Sequence, residues 1–291
     1  MIVLATFLWG MSIVIVRGVH EEIPPIGLSF LRWFLGAIFL LPFVWAELRR
    51  KYQFIKLHLK LIFLLGVLQV GSSAMLMVSV NFTTAINASV INAAQPALTA
   101  VAAWILTRDR ITLVQGIGIF SGLVGILIIV GRADVILLLR LDFNMGDGFA
   151  VLAITGWGIY AVLLHRFPHE LGMTTTLFLI VLTGSLATLP FYIWESINIR
   201  TVPLTFDTAI VLLVLGVIVS VFSIYLWNAG IRSVGPNKAS IFLNLIPVFG
   251  AVLAIVFLGE KIFNFHIFGA AFVCLGITLV IKRNPQTVSQ S

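Results

Sequence analysis

Ala88-Ser89-Val90-Ile91-Asn92-Ala93-Ala94-Gln95-Pro96-Ala97-Leu98-Thr99-Ala100-Val101 and Ala239-Ser240-Ile241-Phe242-Leu243-Asn244-Leu245-Ile246-Pro247-Val248-Phe249-Gly250-Ala251-Val252 are two apolar stretches, each interrupted by one proline, that superpose at a shift of 151 residues. Ala88-Ser89 falls on Ala239-Ser240, Pro96 on Pro247 and Ala100-Val101 on Ala251-Val252. The match runs on, with Asp109 on Glu260, Gly118 on Gly269 and Gly125 on Gly276. Nearer the N-terminus, a shift of 148 lays Trp9-Gly10 on Trp157-Gly158, Phe30 on Phe178, Gly36 on Gly184, Leu41-Pro42-Phe43 on Leu189-Pro190-Phe191 and Glu47 on Glu195. Tryptophan and proline do not align so often by chance, so the chain reads as an internal duplication with small loop insertions.

The solvent of this duplication is set by composition. Of 291 residues, 60% are hydrophobic and 10% charged, against roughly 25% charged in a soluble domain. The apolar residues come in runs long enough for a helix to cross a bilayer. Ten such spans are predicted: 2–18, 26–47, 59–80, 84–106, 113–131, 147–165, 173–195, 208–231, 236–258 and 264–282. Met1 to Val16 has neither a basic leader nor a small-residue cleavage pattern, so it reads as a first transmembrane helix and not as a signal peptide. Its lack of any polar leader suggests that a few N-terminal residues are missing.

The net charge of +7 comes from 18 Lys and Arg against 11 Asp and Glu. The basic residues sit between the apolar runs, which argues for topology and against nucleic acid as a partner. With the N-terminus inside, the cytoplasmic segments hold twelve: Arg49, Arg50, Lys51, Lys56, Lys60, Arg108, Arg110, Arg166, Arg232, Lys238, Lys282 and Arg283. The opposite side holds Arg17, Arg132, Arg140, Arg200 and Lys261. Both termini are therefore expected in the cytoplasm, and the chain in a plasma or inner membrane. Cys274, the one cysteine, cannot form an internal disulfide.

The expected fold class is an all-α integral membrane protein whose ten transmembrane helices form two inverted five-helix repeats. Residues 1–131 form the first repeat, 147–282 the second, and 283–291 a disordered cytoplasmic tail. Five is odd, so the second copy enters the membrane from the opposite side, an arrangement common in secondary transporters.

Trp9-Gly10, Leu31-Arg32-Trp33-Phe34, the Pro96 and Pro247 helices, and Gly259-Glu260-Lys261 before a glycine-bearing last span are similar to the drug/metabolite transporter superfamily, EamA branch. The resemblance covers nearly the whole chain. It implies a ten-helix carrier of small solutes in a prokaryotic plasma membrane, with a central cavity shared by the two halves. The chain departs from the pattern at Arg108-Asp109, where the family usually shows Gly-Glu; the second half keeps Gly259-Glu260.

Candidate site residues follow from the prolines. A proline inside a helix frees a backbone carbonyl, and at membrane depth that carbonyl must meet protein, water or ligand. Pro96 and Pro247 stand among polar residues at helical spacing: Ser89, Asn92, Gln95 and Thr99 on span four, and Ser240 and Asn244 on span nine. Span three adds Gln69, Ser72, Ser73 and Ser79, and span eight adds Ser220, Ser223 and Trp227. Such faces should point inward, either bonding between helices or lining a cavity. The amides of Asn92, Gln95 and Asn244 have more bonding capacity than a neighbouring helix readily fills. Trp9, Trp157, Tyr160 and Trp227 are candidate cavity walls, whereas Trp45 and Trp194 belong to the interfacial belt. Arg32 has no mate in the repeat, since Ile180 stands at its place. Relatives with varied substrates resemble its segment, which favours a structural role satisfying carbonyls at the outer mouth over an anion site.

All eleven acidic residues fall at or beyond span ends. A mid-membrane carboxylate commonly serves as a shared proton and cation site, so its lack disfavours an exporter of permanent cations. No His/Cys/Asp cluster suggests a metal, no phosphate-cradling loop suggests a nucleotide, and no nucleophile has a base at matching depth. The expectation is a secondary transporter, not an enzyme and without a cofactor, that moves small neutral or zwitterionic metabolites such as amino acids, outward. Its partners are a small-molecule substrate and membrane lipid; a monomer suffices, and a homo-oligomer stays open. The alternatives are a carrier of phosphorylated sugars, using Arg232 and Lys238, or of drugs, and a non-transporting membrane scaffold or lipid-handling protein.

Overall fold

The computed structural model describes residues 1–19, 23–79, 81–83, 85–131, 134, 136, 144–203, 205–258 and 263–281. Among these the chain is helical nearly throughout and has no strand. In order come α1 (Ile2–Val19), α2 (Pro25–Arg50), α3 (Tyr52–Ser79), α4 in two segments (Ala85–Ala93 and Gln95–Thr107) and α5 (Leu113–Val130). There follow α6 (Met145–Arg166), α7 (Met173–Asn198), α8 (Phe206–Val234), the interrupted α9 (Pro236–Ser240, Ile241–Asn244, Leu245–Leu258) and α10 (Asn264–Ile281). Seven of them, α2, α3, α5, α6, α7, α8 and α10, are long and apolar enough to cross a membrane. The two segments of α4, bent by 41°, make an eighth if they count as one span. α1 counts over Ile2–Met11 as a shorter apolar helix, and α9 falls short of that test because its backbone is interrupted. Gly259-Glu260-Lys261 and the tail lie outside the described residues.

Local chemistry sets several ends. Thr112 Oγ1 accepts from the Gln115 N–H at 3.2 Å while Gln115 Oε1 accepts from the Thr112 N–H at 2.9 Å, a capping box that starts α5. Asn144 and Asp147 make the equivalent pair at α6. Thr205 caps α8 through the Thr208 N–H at 3.2 Å.

Polar and apolar faces are distributed as a bilayer requires. Phe39, Phe43, Phe120, Phe191 and Phe268 are exposed, while Gln69, Ser72, Ser73, Gln95, Thr99, Ser220, Ser223, Asn228, Ser240 and Asn244 are buried. Large aromatic rings facing outward around buried hydroxyls and amides suit lipid outside and helix-to-helix bonding inside. Trp45 and Trp194 are exposed near the ends of α2 and α7, as the interfacial belt demands.

Contacts between the first and second parts of the chain hold the bundle together. α2 packs on α7 and α8, α5 on α10, α1 on α9 and α8, and α6 on α4 and α3. Neither α2 nor α7 carries an acidic residue in its first turn, yet each start is capped by the other's end. Glu195, 1% exposed, accepts from the N–H groups of Ile26 (3.0 Å) and Gly27 (2.6 Å). Glu47 accepts from the Gly172 N–H at 2.9 Å and from the Thr175 hydroxyl. These carboxylates satisfy backbone donors left free at a helix start.

Glycines set the close approaches. Gly118 of α5 faces Gly276 of α10, and Gly125 faces Gly269. Gly66 of α3 lies against Gly184 of α7, and Gly216 of α8 against Arg32 and Gly36 of α2. Near these last contacts α3 and α8 each open into a π-helical stretch, Val67–Gly71 and Val214–Phe222. Here a third correspondence appears that the sequence reading missed. Leu65-Gly66-Val67 matches Leu215-Gly216-Val217, and Ser73 matches Ser223, at a shift of 150.

Candidate functional site

The predicted site begins at the breaks in α4 and α9. In α4 the helix yields at Ala94 (φ −79°, ψ −7°), whose N–H reaches back only three residues to the Ile91 carbonyl at 2.9 Å. Pro96 then occupies the first turn of a new segment. In α9 the 3-10 turn Ile241–Asn244 precedes a segment that starts at Leu245, with Pro247 in its first turn. The break thus comes before each proline. A proline in a first turn lacks an N–H that would have no intrahelical partner anyway, so the ring stabilises the restart after the interruption. Ala93 at the first break and Leu245 and Val248 at the second join one apolar cluster with Ile126 of α5 and Val273 of α10. The two interrupted helices therefore meet against the α5–α10 pair.

Around the breaks the amides differ in setting. Asn244 is 2% exposed, and its Nδ2 has no hydrogen-bond partner. It lies against Gly122, where any Cβ would collide with that nitrogen. Gln95 is buried, and its backbone carbonyl accepts from the Thr99 hydroxyl at 2.9 Å. Asn92 is half-buried.

The aromatic candidates divide. Trp9 and Trp227 pack with ring centroids 5.2 Å apart, and both belong to the large core cluster that contains Tyr160. Tyr160 donates to Asn228 Oδ1 at 3.0 Å, leaving the fully buried Asn228 Nδ2 without a partner. Trp157 donates from its indole N–H to the Gln69 carbonyl at 3.3 Å, inside the π-helical stretch of α3, and packs with Ile91, Ala94 and Leu98 of α4. The nine candidates therefore form three groups: Trp9, Tyr160 and Trp227; Asn92, Gln95, Pro96 and Trp157; and Asn244 and Pro247. Asn228 was missed by the sequence reading, although an amide beside Trp227 in a long apolar run is a signal of the same kind as Asn92.

Two of the surface clefts among the described residues are lined by none of the nine candidates. One, of about 460 Å³, lies between α4 and α5 and is mainly apolar. The other, of about 180 Å³, lies among Asp109, His165, Asn237 and Lys238. Beside it Arg166 pairs with Asp109 at 3.3 Å. The hydroxyl of Thr107, at 2.7 Å, and the Arg166 guanidinium hold the Asp109 carboxyl below its usual range. Among the described residues, no group of three or more His, Cys, Asp and Glu side chains is placed to hold a metal.

A model of the EamA-like transporter family matches residues 1–131 and 144–282. The chain is 28% identical to the "Uncharacterized transporter YyaM" of Bacillus subtilis, over 83% of this chain and 79% of that one. It is 25% identical to an "Uncharacterized transporter" of Archaeoglobus fulgidus over 98% of both. A crystal structure with 16% sequence identity shares the fold, with a TM-score of 0.74 over 96% of this chain and 94% of that one. With a family match across most of its length and a bundle of membrane-length apolar helices, the chain is a multi-pass membrane transporter and belongs to the EamA-like transporter family.

Proposed function

We propose that the protein is a secondary carrier that exports small neutral or zwitterionic metabolites, amino acids and related compounds, by alternating access between two inverted five-helix halves. In this reading all ten helical stretches cross a plasma or inner membrane, with both termini in the cytoplasm. The observation that carries it is the reciprocity of the contacts. Exchanging each residue for its mate in the duplication turns the Gly118–Gly276 contact into Gly269–Gly125, and the Gly66–Gly184 contact into Gly216–Gly36. The same exchange turns the Glu47 cap on α7 into the Glu195 cap on α2. Contacts that survive such an exchange are those of an isologous, twofold interface. Two halves related in this way have two equivalent arrangements, open to either side, when they swap conformations. The separate family matches to 1–131 and 144–282 support the same division.

The neutral amides beside the two broken helices support an uncharged or zwitterionic cargo. The test is counterflow of labelled amino acids in proteoliposomes with Asn92→Ala and Asn244→Ala. Each variant should lower flux roughly three- to tenfold, the worth of one hydrogen bond to the solute. Wild-type flux that both variants leave unchanged would sink the site assignment. Flux favoured equally from both faces of oriented vesicles would sink the outward direction.

A further inference from the structure

We propose that Arg32 is the anchor for a carboxylate on the transported solute. Arg32 lies on α2 seven residues after Pro25, about 10 Å along the helix axis, and it is 9% exposed. It does not satisfy carbonyls at the mouth of the bundle: Nη2 donates to the Ser73 hydroxyl of α3, and Nε has no partner. Its guanidinium carbon stands 5.0 Å from the Trp33 ring centroid, an attraction too weak to replace a counter-ion. Among the described residues the ion pair is Arg166–Asp109, and no carboxylate meets Arg32. A guanidinium offers five donors, and a buried cation with no compensating charge is costly at membrane depth.

The helices that flank Arg32 carry further buried, neutral polar groups. Ser29 on α2 and Ser220 on α8 are buried with unpartnered hydroxyls, and Gln69 and Ser72 on α3 are buried as well. The π-helical stretch of α3 ends immediately before Ser72-Ser73, and that of α8 contains Ser220. The same stretch of α8 contains Gly216, where a Cβ would lie 2.8 Å from the Arg32 carbonyl oxygen. π-helical interruptions are frequent at functional sites, because the widened turn loosens the backbone bonding. One guanidinium balances one negative charge and presents the planar fork that a carboxylate accepts at two points. A phosphate dianion would need a second cation. A carboxylate is common to solutes that differ in every other group. Arg32 also sits where α2 of the first half meets α8 of the second, a seam that alternating access opens and closes.

This assignment rests on the carrier reading in that it takes the zwitterion as cargo. The experiment uses the full chain in detergent and in proteoliposomes, with L-threonine, L-leucine and L-phenylalanine against their carboxamides. Thermal stabilisation and competition in counterflow should favour at least one free acid over its amide by about 10- to 100-fold in wild type. Arg32→Gln should abolish that preference and Arg32→Lys should keep part of it. Equal effects of acid and amide on the wild type, or a preference retained in Arg32→Gln, would overturn the assignment; the wild-type comparison decides it even if Arg32→Gln does not fold. Lack of stabilisation by any carboxylate would also overturn it, while flux of an uncharged solute would leave the carrier reading standing. Arg32-dependent stabilisation without flux would instead uphold the anchor and remove the carrier reading.

Discussion

Arg108 ends the second segment of α4 with φ 59°, and it is the one non-glycine residue with positive φ among the described residues. That left-handed conformation costs an L-residue about 1–2 kcal/mol, which explains the resemblance's usual glycine at this place. Arg108→Gly is expected to raise stability by about 0.5–1 kcal/mol after the added freedom of the unfolded chain is counted. Thermal unfolding in detergent should show a higher midpoint; an unchanged or lower one would mean that the Arg108 side chain contributes more than its backbone costs. At the same scale, the site residues were legible by type and not by partner. Asn92, Gln95 and Asn244 announced themselves as amides in apolar runs. Whether an amide is left without a partner, as at Asn244, or is shared with a tyrosine, as at Asn228, depends on a helix distant in sequence.

Helix α5 and helix α10 approach closely because glycines line their contact. A Cβ on Gly276 would lie 2.8 Å from the Gly122 nitrogen and 3.2 Å from its Cα, so Gly276→Ala must push two backbones apart. The expected cost is about 1–3 kcal/mol, read as a lower unfolding midpoint and a broader elution profile. Gly148→Ala is the control: a Cβ there meets nothing within 4 Å, and alanine improves helix propensity by about 1 kcal/mol. A neutral Gly276→Ala would refute the packing account. The repeat alignment exposed Gly118, Gly125, Gly269 and Gly276 as matched positions, but which glycine faces which is a property of the assembled pair. The broken helices show the same division. Proline at positions 96 and 247 marked the place of interruption, while the 41° bend and the 3-10 turn arise one to a few residues earlier, where packing against α5 and α10 fixes the backbone.

The parts of the chain are not separate bodies, because α1 packs on α9, α2 on α7, α6 on α4 and α5 on α10. Residues 1–131 expressed alone, or 144–291 alone, should therefore be degraded or aggregate, since each exposes glycine faces and unpaired capping carboxylates to lipid. Co-expressed from separate reading frames, they should co-purify as one complex. Recovery of either part alone as a stable monodisperse species would contradict the interlocked arrangement. The sequence by itself determined the solvent, the helical class and the family, because these rest on composition, run length and residue matches that need no knowledge of neighbours. Tertiary structure alone decided that Glu47 and Glu195 cap each other's helices, that α3 and α8 widen into π turns, and that Arg32 is buried without a counter-charge among the described residues. Those are pairings, or missing pairings, between residues far apart in the chain, or shifts of backbone register, and none leaves a periodic trace along one chain.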